Sequence, residues 1–251
     1  MKVLACYSMK GGVGKTATAV NLSYLAAKSG FKTLLIDLDP QGASSFYFRV
    51  KPSSKKWSER FFSAYEDVVK NIKASDYDNL DVIPAHLNFR NFDSFLAGVK
   101  KRKGRLKSIL KGFSKEYDLI VLDCPPSISY LSEAIFVAAN LILVPVIPTT
   151  LSERTFDQLI EFFEENDYKK SKIIPFFSMV QVQKNMHKMT MTAMSANHVF
   201  LNSIIPYSAD VENMGEHKAP IDVFAKLKPA NFSYIKLWTE IAAKIKAEKD
   251  F

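Results

Sequence analysis

The run Met9-Lys10-Gly11-Gly12-Val13-Gly14-Lys15-Thr16 has the composition of a phosphate cradle. Gly11, Gly12, Val13 and Gly14 can turn backbone N–H groups toward phosphate oxygens. Lys15 stands where a lysine reaches the outer phosphates, and the Thr16 hydroxyl where one can ligate Mg²⁺. Lys10 is the unusual member, because a cation ahead of the glycines is not needed to bind a nucleotide within one subunit. Three acids complete the set. Asp123 ends the apolar run 118–123, at the Walker B position, where a carboxylate can orient a Mg²⁺-bound water. Asp37 and Asp39 lie in Asp37-Leu38-Asp39-Pro40-Gln41-Gly42. Two acids one residue apart at a strand end point roughly the same way. One can support the metal and the other position an attacking water. Pro40 and Gly42 also allow a plainer reading, in which both acids serve a turn.

These residues need strands and helices to bring them together. Val3 to Tyr7 reads as a buried strand, and Ala19, Val20, Leu22, Leu25 and Ala26 recur at helical spacing up to Gly30. A helix opening directly after the glycines aims its partial positive charge at bound phosphate. Further strands are expected at 33–37, 81–84, 118–123, 141–145, 172–180 and 202–206. Helices are expected at 106–113, 132–139, 156–163 and 233–248, with residues 43–80 forming helices and loops. This alternation predicts an α/β fold, a mainly parallel twisted sheet with helices on both faces. In such a fold ligands bind beyond the carboxyl ends of the strands. The whole chain, 1–251, is expected to form a single domain.

Composition narrows the class. The chain is 47% hydrophobic and 24% charged, as ordinary globular proteins are. It contains no apolar run of the length a membrane span needs, and no signal sequence is expected ahead of the phosphate loop. Cys6 and Cys124 read as reduced core residues of a cytoplasmic protein. The four histidines, His86, His187, His198 and His217, show no metal-ligand spacing. Residues 51–115 hold 15 Lys/Arg and 7 Asp/Glu, a balance equal to the net charge of +8 on the whole chain. The densest part is Lys100-Lys101-Arg102-Lys103-Gly104-Arg105, followed by Lys107 and Lys111. Such a patch suits a polyanion, either nucleic acid or an acidic membrane, or serves only as a solvated face.

Three blocks together resemble the ParA/MinD family of deviant Walker A ATPases, P-loop proteins, and its ParA (Soj-like) branch more than the other. They are the loop 10–16, the acid block 37–42, and Tyr117-Asp118-Leu119-Ile120-Val121-Leu122-Asp123-Cys124-Pro125-Pro126-Ser127. Pro145 through Thr150, followed by a helix, fits as well. The resemblance implies an ATP-driven homodimer with two nucleotides in its interface and Lys10 crossing to the partner's phosphates. It makes Lys15 the phosphate lysine of its own subunit, Thr16 a Mg²⁺ ligand, Asp39 the residue that orients the water, and Asp37 and Asp123 supports of the metal. It also places Pro206 in the adenine-side loop. Slow hydrolysis would then time dissociation. The chain departs from the family at Ala17, where a second threonine is frequent, and the backbone N–H is what remains for phosphate. Ala43 replaces the usual asparagine. Tyr207-Ser208-Ala209-Asp210 stands where DNA-binding relatives often carry arginines. The 100–111 cluster, with Lys184, Lys188, Lys226 and Lys228, is the available substitute.

Three functions follow from the resemblance. The first is a cytoplasmic, nucleoid-associated positioning ATPase, binding DNA nonspecifically through phosphates and stimulated by a ParB-like adaptor on its cargo. No helix-turn-helix module is expected ahead of the loop. The second is a MinD-like membrane-cycling ATPase. It would use Ile235, Trp238, Ile241, Ala242 and Ile245 as an apolar face beside Lys236, Lys244, Lys246 and Lys249, although a closing helix of this kind ordinarily packs on its own domain. The third is an electron-transfer ATPase resembling the nitrogenase iron protein, which the placement of Cys6 and Cys124 disfavours.

Overall fold

The computed structural model describes residues 1–52, 61 and 65–247. The part of the basic stretch at 53–60 and 62–64, and the end of the closing helix from Glu248 with Lys249, lie outside the described residues. The strands are β1 (Lys2–Cys6), β2 (Thr33–Asp37), β3 (Lys73–Ala74), β4 (Leu80–Ile83), β5 (Leu119–Asp123), β6 (Leu141–Val146), β7 (Ile173–Val180) and β8 (Ile204–Pro206). The helices are α1 (Lys15–Lys28), α2 (Ala43–Tyr47), α3 (Tyr65–Val69), α4 (Phe92–Ala97), α5 (Arg102–Lys111), α6 (Tyr130–Ala138), α7 (Thr150–Glu165), α8 (Asn185–Asn197), α9 (Ala209–Glu212), α10 (Met214–His217), α11 (Ile221–Phe224) and α12 (Pro229–Ala247).

Among the described residues the strands form one sheet in the order β3-β4-β2-β5-β1-β6-β7-β8. Every pairing is parallel except β3 with β4. Strands covered on both faces must be apolar throughout, and β1, β2, β5 and β6 are buried along their whole length. The strand period of two then divides one apolar run between two cores. Val3 and Ala5 enter a core with Phe92, Leu106, Ile135, Phe156 and Phe163 from α4, α5, α6 and α7. Leu4 and Cys6 enter the opposite one with Leu22, Ala26, Leu237 and Ile241 from α1 and α12. Helices therefore cover both faces, as the alternation predicts. Cys6 and Cys124 belong to opposite cores, so their thiols do not pair.

Several elements depart from the sequence reading, among them α4 and the short helices α9, α10 and α11, where no helix is expected. β3 is a two-residue antiparallel edge strand inside the segment expected to hold helices and loops. α8 occupies 185–197, where no helix is expected. Its buried side chains are His187, Thr190 and Met194, and a helix held by one apolar and two polar residues shows no apolar period.

The closing helix packs on the body of the fold. Tyr234, Leu237, Trp238, Ile241 and Ile245 are buried. The Trp238 indole N–H donates to Ser29 Oγ at 3.0 Å and its ring meets Phe31 edge to face. The apolar face proposed for a membrane is thus occupied, and no helix among the described residues is long and apolar enough to cross one. Trp238→Ala is expected to destabilise the fold by about 3 kcal/mol in urea unfolding, because it opens a cavity between α1 and α12. A loss below about 1 kcal/mol would mean that α12 is only loosely docked.

Candidate functional site

β1 lies between β5 and β6, where the chain turns first to one side of the sheet and later to the other. The loop leaving β1 therefore opens at the point where neighbouring connections diverge, which in sheets of this kind is the ligand crevice. Gly12 (φ 69°) and Gly14 (φ 93°) take left-handed backbone conformations that L side chains rarely adopt. At Gly14 a Cβ would also stand 3.1 Å from Ser178 Oγ. That hydroxyl donates to the Val13 carbonyl at 2.9 Å, so β7 braces the loop from below. α1 starts at Lys15, directly behind the glycines.

The two lysines differ in surroundings. Lys15 is buried and its ammonium donates to the Lys10 carbonyl at 3.0 Å, spanning the loop. Burial lowers its pKa, and the nearby carboxylates of Asp123 and Asp39 work against that. Lys10 is half-buried. Its ammonium donates to Ser152 Oγ at 3.1 Å, beside Thr149 at the N-terminus of α7. Among the described residues it has no carboxylate partner.

The acids also separate in role. Asp37 and Asp123 are register partners at the ends of β2 and β5, and both are wholly buried. Asp37 Oδ2 accepts from the Ser45 backbone N–H at 2.8 Å and from Ser45 Oγ–H at 2.6 Å. Its Oδ1 accepts from the Asp39 N–H at 3.3 Å. Asp123 Oδ2 accepts from Ser44 Oγ–H at 2.6 Å, and Asp123 Oδ1 has no partner. Burial raises the pKa of both carboxyls. Their mutual repulsion adds to this at Asp37, the Ser45 bonds oppose it there, and the Ser44 and Thr16 hydroxyls and Lys15 oppose it at Asp123. Asp39 is half-buried. Its Oδ1 accepts from the Gln41 N–H at 3.0 Å and its carbonyl from the Gly42 N–H at 2.9 Å, the turn-forming bonds that Pro40 and Gly42 allow.

Among the described residues no three His, Cys, Asp or Glu side chains converge to hold a metal by themselves. Mg²⁺ does not require that, because it takes one or two carboxylates together with waters and phosphate oxygens. An unpartnered buried oxygen on Asp123, a carboxylate that the Thr16 side chain adjoins, fits such an ion. Asp37, with both oxygens committed, fits a strut behind it. Pro206 ends β8, and the next N–H, that of Tyr207, donates to the Val180 carbonyl at 3.0 Å. The proline thus lies on the same end of the sheet as the phosphate loop, beyond β7. Ala17 is half-buried in the first turn of α1.

Ser44, Ser45, Ser152 and Ser178 were not singled out in the sequence. The only signal for the first two was their position directly after the acid block. The basic cluster is partly consumed by the fold. The Arg102 guanidinium lies 4.0 Å from the centre of the Tyr130 ring, and Lys103 pairs with Glu133 at 2.7 Å. Lys100, Lys101, Lys107 and Lys111 remain exposed. Lys184 and Lys188 are exposed at the start of α8, and Lys226 and Lys228 between α11 and α12.

Comparison with known proteins agrees with this geometry. A model of the AAA domain family, of ParA/MinD type, matches residues 1–175. The sporulation initiation inhibitor protein Soj of Bacillus subtilis is 38% identical over 58% of this chain and 58% of its own length. The chromosome-partitioning ATPase Soj of Treponema pallidum is 28% identical over 97% of this chain and 98% of its own. Among solved structures, a candidate plasmid partition protein of Borrelia burgdorferi B31 bound to AMPPNP superposes with a TM-score of 0.81 at 23% identity, covering 97% of this chain and 98% of that one.

The raised carboxyl at Asp37 has a consequence for stability. Folding suppresses its ionisation, so its contribution is full below the pKa of an unfolded aspartate and declines as pH rises through the higher folded value. In metal-free, nucleotide-free protein, Asp37→Asn is expected to gain stability relative to the parent as pH rises from 5 to 8, by more than about 1 kcal/mol. Thermal melts across that range would show the gap widen. A gap independent of pH would mean that Asp37 is ionised in the fold.

Proposed function

The chain belongs to the AAA domain family of ParA/MinD type, and from that premise we propose that its 251 residues form one ATPase domain that dimerises on ATP and positions a cargo. The observation that carries this reading is the state of Lys10. Its ammonium is held by one neutral hydroxyl at the positive end of α7, while Lys15 serves the same loop from within. An ammonium in that berth gains by transfer to an anion, and Lys15 already serves the subunit's own phosphates. A second protomer's triphosphate is an anion of the right kind.

Each residue then has a task. The backbone of Gly11, Gly12, Val13, Gly14, Lys15, Thr16 and Ala17 cradles phosphate, and Lys15 neutralises it. Thr16 and Asp123 would hold Mg²⁺, with Asp37 behind them. When bound, that ion supplies charge neutralisation of the phosphate oxygens. Asp39, half-buried at the mouth of the site, orients the attacking water, and Pro206 borders the base. Phosphoryl transfer depends on positioning and charge more than on covalent chemistry, so a lysine arriving in trans makes hydrolysis depend on assembly. The segments that follow β4, β5, β6 and β7, including the first turns of α7 and α8, expose Leu87, Ile128, Leu151, Val182 and Met186 on this end of the sheet, and these supply apolar surface for a second copy. Turnover is slow until a ParB-like adaptor docks.

Three substitutions separate these tasks. Lys15→Ala is expected to weaken ATP binding about a hundredfold or more. Lys10→Ala should keep binding near the parental value and lose the ATP-dependent dimer in light scattering. Asp39→Ala should bind ATP and persist as a dimer with little phosphate release. A Lys10→Ala protein that still dimerised on ATP would refute the trans role.

DNA is the favoured surface for the dimer, since α12 buries the face that a membrane would need. Nonspecific binding through phosphates falls steeply with salt. For four phosphate contacts, a rise from about 50 to about 200 mM costs about a hundredfold. Gel shifts with ATP should show that fall, and Lys107→Glu with Lys111→Glu should flatten it. Binding indifferent to salt and nucleotide would redirect the search toward protein cargo alone.

A further inference from the structure

Two consecutive serines stand between the two buried acids. Ser45, through its N–H and its hydroxyl, takes Asp37 Oδ2, and its own oxygen accepts from the Ala85 N–H at 2.8 Å. Ser44, wholly buried, donates to Asp123 Oδ2 at 2.6 Å. The two acids are neighbours across β2 and β5, and each is clasped by a different residue of the same short helix. The clasps differ in what they leave over. Asp37 has both oxygens occupied, whereas Asp123 keeps Oδ1 unpartnered in a fully buried position. A buried carboxylate oxygen with no donor is costly unless something else completes it.

We propose that Ser44 is the positioning residue of the metal site: by fixing Asp123 Oδ2 it holds the carboxylate in the orientation that leaves Oδ1 unpartnered and available to the Mg²⁺ shell. The inference rests on the ATPase reading above. A methyl group at position 44 leaves Asp123 free to rotate, and either oxygen can then turn away from the ion. The Ser44 hydroxyl bonds Asp123 and not Lys15 or the phosphate loop, so nucleotide binding in the absence of metal is expected to match the parent. Ser45 does not share this part, because it clasps the acid with no oxygen to spare.

The test is direct binding of a fluorescent ATP analogue to Ser44→Ala, Ser44→Thr and parent, in EDTA and along a Mg²⁺ titration. The expected result is a Mg²⁺ midpoint about tenfold higher in Ser44→Ala, the size of effect usual for residues that orient a metal ligand. Affinity in EDTA should be that of the parent, and Ser44→Thr, which keeps the hydroxyl, should return the midpoint toward the parental one. An unchanged midpoint in Ser44→Ala would overturn the proposal. So would an equal loss in EDTA, which would make Ser44 merely structural. A parent protein whose analogue binding ignored Mg²⁺ altogether would instead refute the ATPase reading on which the inference stands.

Discussion

Asp37 and Asp123 sit side by side at the ends of adjacent strands, shut away from water, and the site is organised around making that tolerable. Two like charges desolvated together are among the least favourable arrangements a fold can contain. Folding suppresses the ionisation of Asp37, and two groups offset the rest. Lys15, itself desolvated, lies close enough to favour the charged form of Asp123. The first residues of α2 supply hydroxyl and backbone donors. What remains is one uncompensated oxygen, and a bound cation is its natural complement. The fold therefore holds a site that is electrostatically incomplete by itself, and binding energy is gained where the strain lies.

The two lysines of the loop show the same logic at its rim. Lys15 is enclosed and has nowhere else to go. Lys10 is half-buried and attached by one bond to a hydroxyl, at a helix end whose partial charge repels it. A cation stored in a poor berth moves readily when a better anion appears. The Tyr7 hydroxyl, which donates to the Ser127 carbonyl at 3.0 Å, ties the loop after β5 back to the strand that carries the phosphate loop.

Much of this was legible beforehand, and the reason is periodicity. Continuous apolar runs gave the central strands to within a residue or two, because a strand buried on both faces has no choice of residue type. The phosphate loop was legible because its glycines and Lys15-Thr16 serve backbone and charge requirements that few other residues meet. What escaped depended on tertiary context. α8 turns His187 and Thr190 inward, so it carries no helical apolar stripe. In α12 Tyr234 and Leu237 enter the core while Ile235 and Ala242 are only partly covered, so the buried face is rotated from the one drawn on the sequence. Ser44 and Ser45 were invisible as functional residues because a serine pair says nothing until its partners, seventy-nine and eight positions away, are known. The charge cluster misled in part for a similar reason. Arg102 and Lys103 act as internal fasteners to α6 and to the loop after α7.

The parallel sheet makes one end of the molecule answer for everything. Because every strand but β3 runs the same way, the loops after β1, β2, β4, β5, β6 and β7 all emerge together. They bring the phosphate cradle, both acids, the Lys10 berth and the exposed apolar side chains Leu87, Ile128 and Leu151 to a common surface. A partner approaching that surface excludes water from the cradle, and excluding water strengthens each of the site's electrostatic contacts. Under the proposed dimer, assembly and catalysis would be coupled without any long-range rearrangement, since the exposed apolar side chains border the residues that would do the chemistry. A fold with antiparallel strands would scatter these loops over two ends and would need a conformational relay to achieve the same coupling.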